Sequence, residues 1–291
     1  MRIAHLILTH KKDPAQLERL IDALRHPSCD IFIHLDRKTP IDGFLHLAQK
    51  PNIVFIKRRI PVYWAGYGTV QATLNGFVEI LKKDRYDYVN VISGQDFPIQ
   101  SQEQFLTFLR KKNSAEFITC ESIEDKWKAA APRVMSYHLI NWRIPGKFKL
   151  EKLINRILPK RRFPLNYSLV GRSNWFTISA DAVKYILDFV ENNPSVVRYF
   201  KYCWGADELI FSTILYNSPF RQRIEDNLTY VDWTGRSDGH PRILDKADFQ
   251  KIISSGKFFA RKLDLDYDSE LVNLLEKEIA TPKRQLVTTT L

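Results

Sequence analysis

The sequence predicts an α/β fold in which a mostly parallel sheet is covered by helices. Short apolar runs alternate with amphipathic segments through the first 120 residues of the 291-residue chain. The spacing between successive apolar runs is that of β-α-β units. The runs are short and nearly continuous, as expected for strands buried on both faces of a sheet. One large domain is expected, because a chain of this length can bury a large core.

Seven strands are predicted, and each corresponds to one short apolar run. They cover residues 3–9, 30–35, 52–56, 88–92, 117–120, 174–178 and 230–233. Helices are predicted where apolar residues recur every three or four positions. They cover residues 14–24, 43–48, 68–83, 102–111, 181–191, 207–215, 246–254 and 271–279. Asp13 and Pro14 start the first helix, with Asp as the N-cap and Pro at the first helical position.

The alternation of strands and helices stops in a basic, irregular segment. Within it, residues 147–162 carry apolar side chains at helical spacing together with seven Lys and Arg residues. A basic amphipathic helix of this kind can lie on an anionic membrane. The alternative is a surface helix that packs its apolar stripe on the protein core.

The charge and cysteine content limit the possible partners and location. The net charge is +11, which favours nucleic acid, an acidic membrane face or phosphate-bearing substrates. Cys29, Cys120 and Cys203 are too far apart to indicate a disulfide framework or a zinc site. The first ten residues do not resemble a signal peptide, and no apolar run has the length of a membrane span. A cytoplasmic location is expected, with any membrane contact peripheral.

Several common nucleotide and esterase motifs are absent from the sequence. No G-x-G-x-x-G follows the first strand, and the chain contains neither a P-loop nor a G-x-S-x-G elbow. These absences argue against hydride transfer, P-loop ATP hydrolysis and esterase chemistry.

Polar residues follow the predicted strands where a parallel sheet usually binds ligands. Asp36 ends the second strand, and its carboxylate could accept bonds from a ribose or a base, or cap a turn. The segment 64–69 opens a helix with small residues, whose backbone N–H groups could face an anion. After the fourth strand, Gln95 and Asp96 supply only one carboxylate, which is poor for a divalent ion. The late acidic run at 264–268 is expected to cap the helix that follows it.

Taken in order, these segments resemble the core-2/I-branching β-1,6-N-acetylglucosaminyltransferase family, which includes the peptide O-xylosyltransferases. The matching pieces are residues 4–12, 33–38, 64–75, 93–99, 171–179, 204–215, 230–233 and 240–266. They span nearly the whole chain, whereas residues 121–170 match poorly.

The resemblance implies a single GT-A-like domain over residues 1–280, with a mostly parallel, Rossmann-like sheet flanked by helices. Residues 1–120 would form the nucleotide-binding half, 121–170 a variable insert facing the acceptor or a membrane, and 171–280 the catalytic and acceptor half. Residues 281–291 would be a tail. The implied reaction is metal-independent, inverting transfer of a sugar from a UDP-sugar to a hydroxyl of a glycan or glycolipid. N-acetylglucosamine is the favoured sugar, and xylose is the alternative.

The resemblance also assigns roles to residues. Glu208 matches the general base, while Arg242 and Lys262 match two cations that stabilise the UDP leaving group. Leu8, Thr9, His10, Asp36 and Arg59 match nucleotide contacts, and Glu121, Lys126 and Trp233 lie near acceptor contacts. No metal or other cofactor is implied.

Two other interpretations remain open at this stage. A nucleic-acid-binding protein would explain the charge, although no nucleic-acid motif is present and nucleic acid is not the expected partner. A protein that binds a nucleotide or sugar without catalysis would differ only in turnover.

Overall fold

The computed structural model describes residues 1–11, 13–112, 114–236 and 239–281. The strands in these ranges are β1 Ile3–Thr9, β2 Cys29–Leu35, β3 Ile53–Phe55, β4 Tyr88–Ser93, β5 Asp96–Pro98, β6 Glu116–Phe117, β7 Glu121–Ser122, β8 Val170–Gly171, β9 Phe176–Ser179, β10 Ile224–Glu225, β11 Thr229–Val231 and β12 Phe259–Arg261. The α-helices are α1 Ala15–Leu24, α2 Gly68–Lys83, α3 Gln102–Lys112, α4 Ala131–Met135, α5 Lys147–Ile157, α6 Ala180–Asn192, α7 Pro194–Lys201, α8 Ile210–Tyr216, α9 Phe249–Ile253 and α10 Ser269–Ala280. The 3-10 helices are Asp42–Gln49, Lys128–Ala130, Ala206–Glu208, Pro219–Arg223 and Lys246–Asp248. Lys12 of the first matching segment and residues 282–291 of the expected tail lie outside the described residues.

The central sheet has seven strands in the order β10-β6-β9-β4-β1-β2-β3. All neighbouring pairs are parallel except those of β9, which runs antiparallel to β4 and β6. In the middle of the sheet, Ile7 is paired with Ile33 on one side and Ile92 on the other. The predicted α/β fold with a mostly parallel sheet is confirmed.

Helices cover both faces of this sheet and divide the core into two clusters. Successive side chains of β1 alternate between the faces, as strand geometry requires. Ile3 and Ile7 pack into one cluster with α1, α3 and α10. Ala4 and Leu6 pack into the other with α2, α6 and α8. The central strands are therefore buried on both sides, which explains why they are apolar runs in the sequence.

Two small sheets attach the later part of the chain to the loops at the carboxyl edge. β12 runs antiparallel to β5 and parallel to β11, so that Arg261 is paired with Asp96. β7 and β8 pair antiparallel, with Glu121 opposite Gly171. These short strands follow or precede the cavity loops and bring distant segments of the chain to one place.

Several predicted boundaries differ from the structure. α1 begins at Ala15 with Pro14 as its cap, although the Asp13 carboxylate still accepts a hydrogen bond from the Ala15 N–H at 2.9 Å. The helix predicted over 207–215 divides at Leu209, whose backbone angles leave the helical region. The helix predicted over 246–254 likewise begins as a 3-10 turn.

The basic helix also differs from the expectation. It ends at Ile157, two residues before Pro159, which cannot continue a helix. None of its residues is buried, and Phe148 is 75% and Ile157 69% exposed. The interpretation that the whole apolar stripe packs on the core is therefore wrong, because only Leu150 and Ile154 are half-buried and neither belongs to a core cluster.

Candidate active site

A cavity of about 1170 Å³ opens where β1, β2 and β4 end. This is the edge at which open parallel sheets bind ligands, and it is the location expected from the sequence. Leu8, Thr9, His10 and Asp36 all line it. The structure thus brings together four of the five residues assigned to the nucleotide.

Asp36 lines the cavity and also holds the turn after β2. Its carboxylate is buried and accepts hydrogen bonds from the N–H groups of Lys38 at 2.8 Å and Val62 at 3.2 Å. The Lys38 ammonium lies 3.1 Å from the same carboxylate. The turn-capping role considered from the sequence is therefore present, and it fixes an acid at the cavity wall.

Arg59, the fifth nucleotide candidate, is not among the residues lining the cavity. Its guanidinium donates to the carbonyl oxygens of Leu35 at 2.8 Å and Asp36 at 2.9 Å, and to that of Thr39. Because these bonds use three of the five N–H donors of the guanidinium, Arg59 supports the loop that carries Asp36. The structure does not support the predicted direct contact with the nucleotide.

Glu208 lies in a tight turn on the opposite half of the chain. Gly205 adopts a left-handed conformation with φ of 67° and donates its N–H to the Ala65 carbonyl at 2.8 Å. The Glu208 carbonyl accepts a hydrogen bond from the Arg172 N–H at 3.0 Å. Gly171 passes so close that an added Cβ would lie 2.1 Å from the Glu208 carbonyl oxygen. The backbone that carries Glu208 is therefore held from two sides.

The Glu208 carboxylate faces the cavity in a partly desolvated environment. Its side chain is 29% exposed and lies 2.7 Å from the guanidinium of Arg133. Burial, with a further contribution from the neighbouring Asp207, raises the pKa of Glu208 to about 7, against the lowering effect of Arg133. Burial also raises the pKa of Asp207 to about 6, although its hydrogen bond with Thr69 acts in the opposite direction. A carboxylate with a pKa near 7 suits a general base at neutral pH.

Arg133 is held by aromatic rings on two sides. Its guanidinium carbon lies 4.2 Å from the ring centre of Trp204 and 5.1 Å from that of Trp127. Cation–π contacts of this kind fix a planar guanidinium in one orientation. The ion pair with Glu208 is thus part of a positioned group.

Lys262 lines the cavity beside Arg261. Burial and the neighbouring Arg261 lower the pKa of Lys262. Within the described part of the chain, the Lys262 ammonium has no carboxylate within salt-bridge distance, whereas Arg261 pairs with Asp96 at 3.0 Å. Lys262 is accordingly the cation of this pair whose charge remains available to an anion in the cavity.

Arg242, the second predicted phosphate cation, does not line the cavity. Its guanidinium pairs with Asp232 at 2.9 Å, with Asp245 at 3.5 Å and closely with Asp248. Three carboxylates therefore surround the charge that the resemblance assigns to the diphosphate. The structure brings Glu208 and Lys262 into one cavity and leaves Arg242 outside its lining.

The acceptor candidates divide in the same way. Trp233, with 43% of its side chain exposed, and Glu121 both line the cavity. Glu121 lies 3.5 Å from the guanidinium of Arg172, another lining residue. Lys126 is exposed and is not among the residues that line the cavity. The expectation that Lys126 lies at the acceptor site is not supported.

The structure adds functional candidates that the sequence reasoning missed. Trp64, Trp175 and Trp204 line the cavity together with Asp207 and Arg172. Trp64 is 57% exposed and meets the Trp204 ring edge-on, with ring centres 4.9 Å apart. Exposed indoles inside a cavity provide flat apolar surfaces for a sugar ring. Trp64 and Trp204 begin two of the matching segments, and their position there was the available signal.

The loop after β4, which carries Gln95 and Asp96, is held by hydrogen bonds of its own. The Asp96 carboxylate is buried and accepts hydrogen bonds from the N–H and hydroxyl of Ser93, at 2.8 and 2.7 Å. Asp268 caps α10, as expected, and Asp264 pairs with Lys11 at 2.6 Å. Among the residues described, no three His, Cys, Asp or Glu side chains are grouped to hold a metal.

A mostly parallel sheet with a large cavity at its carboxyl edge defines an α/β domain with a ligand-binding site in the usual place. The sequence model of the Core-2/I-Branching enzyme family matches residues 3–253. The chain belongs to the Core-2/I-Branching enzyme family.

The most similar named proteins include xylosyltransferases, which have low identity to this chain and are longer. Xylosyltransferase 2 of Canis lupus familiaris is 24% identical over 312 residues, covering 95% of this chain and 33% of the relative. Xylosyltransferase 1 of Rattus norvegicus is 23% identical over 310 residues, covering 95% and 35%. The chain therefore spans about a third of the length of these relatives.

Solved structures resemble the chain only loosely. Mouse xyloside xylosyltransferase 1 in its apo form has a TM-score of 0.41 and 10% identity, covering 89% of this chain and 97% of that one. Staphylococcus aureus TarS residues 1–349 has a TM-score of 0.40 and 12% identity, covering 98% and 67%.

Proposed function

We propose that the protein is an inverting glycosyltransferase that moves a sugar from a UDP-sugar to a glycan hydroxyl without a metal. The observation that carries the proposal is Glu208, a cavity carboxylate with a pKa of about 7 at the carboxyl edge of the sheet. Its pKa allows it to accept a proton near neutral pH. Four of the five nucleotide candidates, Leu8, Thr9, His10 and Asp36, line the same cavity.

The proposed reaction is a single displacement. Glu208 removes the proton of the acceptor hydroxyl as that oxygen attacks the anomeric carbon. The bond from the anomeric carbon to the UDP oxygen breaks on the opposite side, and its electron pair leaves with the diphosphate. Attack from the face opposite the leaving group inverts the configuration.

Lys262 is proposed to stabilise the departing diphosphate. Its ammonium lines the cavity, and burial strengthens its interaction with an anion. The resemblance also assigns Arg242 to the diphosphate. For that contact, the guanidinium would have to give up at least one of its three carboxylate partners and bind phosphate instead.

Metal independence is supported by the bonding of the loop after β4. Both carboxylate oxygens of Asp96 already accept bonds from Ser93 or Arg261, and its neighbour is the neutral Gln95. A hard divalent ion needs several oxygen ligands that are free to turn toward it. In this reaction Lys262 supplies the positive charge that a divalent ion would otherwise provide.

N-acetylglucosamine remains the favoured sugar, and xylose is the second candidate. The named relatives are xylosyltransferases at 23–24% identity, which favours testing xylose beside it. A glycan or glycolipid is the proposed acceptor.

A cytoplasmic location with peripheral membrane contact is part of this proposal. Among the described residues, no helix combines the length and apolarity needed to cross a bilayer.

A donor screen tests the function directly. Thermal shifts with UDP-N-acetylglucosamine, UDP-xylose, UDP and other nucleotide sugars, each with and without EDTA, should show stabilisation that EDTA leaves unchanged. Release of UDP in a screen of glycan acceptors would distinguish transfer from binding without turnover. Stabilisation that disappears with EDTA would refute metal independence. Retention of duplex DNA without any response to UDP would favour the nucleic-acid alternative.

A further inference from the structure

The helix α5 is attached to the domain by its polar side chains. The Glu151 carboxylate accepts a hydrogen bond from the Leu139 N–H at 2.8 Å. Asn155 bonds the backbone of Tyr137 twice, accepting from its N–H at 2.7 Å and donating to its carbonyl at 2.8 Å. A surface helix ordinarily turns its apolar stripe toward the core. Here polar residues make the hydrogen-bonded attachment, and of the apolar residues only Leu150 and Ile154 are half-buried.

The outward surface of α5 combines apolar and cationic side chains. Phe148, Leu153 and Ile157 are 75%, 51% and 69% exposed. Lys149, Lys152 and Arg156 are exposed on the same helix. We call this set of six residues the α5 face.

The α5 face lies in the most basic part of the chain. Residues 140–165 contain eight Lys and Arg residues and one acid, Glu151, which gives a net charge of +7 out of +11 for the whole chain. One of the eight, Arg161, is buried and bonded to backbone carbonyls, whereas Glu151 is directed inward. The solvent-facing charge of the segment is therefore almost purely positive.

The same segment reaches the rim of the cavity. The Arg143 guanidinium lies 3.3 Å from the ring centre of Tyr63, a cavity-lining residue. The Asn141 side chain accepts a hydrogen bond from the Tyr67 N–H at 3.0 Å. Trp142 lies between these two contact residues and is 41% exposed, and Ile144, between Arg143 and α5, is 44% exposed. The loop that enters α5 thus connects an exposed apolar surface to the cavity opening.

We propose that the α5 face docks on a bilayer containing anionic lipid and places the cavity beside a lipid-linked acceptor. The acceptor part rests on the glycosyltransferase function proposed above. Exposed Phe, Leu and Ile side chains bury in the interface between headgroups and acyl chains, while neighbouring Lys and Arg contact anionic headgroups. Trp142 suits the same depth, because indole rings favour the membrane interface.

Vesicle sedimentation with the full chain tests the docking surface. The protein should pellet with mixed phosphatidylserine–phosphatidylcholine vesicles and not with phosphatidylcholine alone. The triple variant Lys149→Gln/Leu153→Gln/Arg156→Gln should lose at least about tenfold in partitioning, since each cation alone contributes about fivefold. The matched control is Leu45→Gln/Lys82→Gln/Lys83→Gln, which changes one exposed leucine and two lysines on other elements. It should pellet like the wild type.

Equal pelleting with both vesicle types, or unchanged pelleting of the α5 variant, would overturn the proposal. Tighter retention by duplex DNA than by anionic vesicles at the same salt would overturn it in favour of nucleic acid. The thermal shift with UDP separates this result from the transferase proposal. Loss of vesicle binding with an intact UDP shift would leave the transferase proposal standing, and vesicle binding without a UDP shift would remove the acceptor part alone.

Discussion

At the scale of single residues, Glu208 shows how two neighbours act on one carboxylate in opposite directions. Asp207 adds negative charge and favours the protonated form, whereas Arg133 favours the ionised form. Burial weights the balance toward protonation, so the carboxyl titrates near neutral pH. A base in this state can accept a proton and release it within one catalytic cycle.

Replacement of Glu208 by Gln should abolish most of the transfer while leaving the nucleotide affinity almost unchanged. The amide keeps the size of the side chain but cannot accept the hydroxyl proton. We expect kcat to fall by about 100- to 10 000-fold. UDP release at saturating donor measures the rate, and the thermal shift with UDP measures binding.

The control for Glu208→Gln is Lys262→Gln, which should weaken UDP binding as well as turnover. If Glu208→Gln retained the wild-type rate, another group would be the base, and Asp207 would be the first to test.

The two neighbours of Glu208 should move the acid limb of the pH–rate profile in opposite directions. In the wild type, kcat/KM should rise with pH through a pKa of about 7, because the base must be ionised. Arg133→Met removes a cation and should move this limb to higher pH. Asp207→Asn removes an anion and should move it to lower pH. Profiles that do not shift would show that the limb belongs to another group, and Arg133→Lys should restore much of the wild-type position.

The resemblance supplied Glu208 and Lys262 from the sequence, but the sequence did not indicate Arg133. Its contact with Glu208 joins positions 75 residues apart, and a lone arginine carries no pattern. Arg242 is the opposite case, a residue that the sequence assigned to the site. Its matching position could not show that three carboxylates surround it in the fold. Charges that depend on distant partners are visible only after folding.

At the scale of elements, β8 positions the turn that carries Glu208. Gly171 lies against the Glu208 carbonyl with no room for a Cβ. The adjacent Arg172 N–H completes the contact with a hydrogen bond of 3.0 Å to the same carbonyl. A short strand thus fixes the position of the turn that carries Glu208.

Replacement of Gly171 by Ala should therefore damage both stability and activity. The new methyl would lie 2.1 Å from the Glu208 carbonyl oxygen, far inside contact distance. We expect a loss of about 1–3 kcal/mol in the free energy of unfolding, with a reduced transfer rate. Urea unfolding and UDP release measure the two effects. Gly43→Ala is the control, since nothing lies within 4 Å of its added Cβ, and it should leave both unchanged.

Long elements could be predicted from the sequence, whereas very short ones could not. β1 and α2 have the boundaries expected from their apolar spacing, because each packs a long, regular face. The strands β5, β8 and β12 have only two or three residues. Segments this short have no measurable period, and their pairing partners lie far away in the chain. The sequence therefore predicted the long strands of the central sheet but not the short strands beside the cavity loops.

At the scale of the whole molecule, buried ionisable groups connect the active site to global stability. Glu208 and Asp207 have raised pKa values, so the folded state binds their protons more tightly than the unfolded state. Their contribution to stability therefore falls as the pH rises from about 4 toward 7. Burial lowers the pKa of His5 and His34 from 6.5 to about 4. Their contribution to stability therefore falls as the pH drops from about 6.5 toward 4.

The stability difference between Glu208→Gln and the wild type should consequently depend on pH. The variant lacks the ionisation that opposes folding at high pH, while both histidines titrate equally in the two proteins. From about pH 5.5 to about pH 8, the variant should gain on the order of 2 kcal/mol relative to the wild type. Urea unfolding at both pH values measures this difference. A difference that does not change with pH would contradict the raised pKa of Glu208.

The polar attachment of α5 also has a consequence for local opening. None of its side chains is fully buried and none belongs to a core cluster, so the helix can separate from the domain without exposing either cluster. Its amide hydrogens should then exchange with solvent through a small, local fluctuation, whereas those of β1 and β4 wait for global unfolding. Exchange followed by mass spectrometry would measure both populations. Anionic vesicles should slow exchange in α5 alone, so that the order of this helix would depend on the surface it meets.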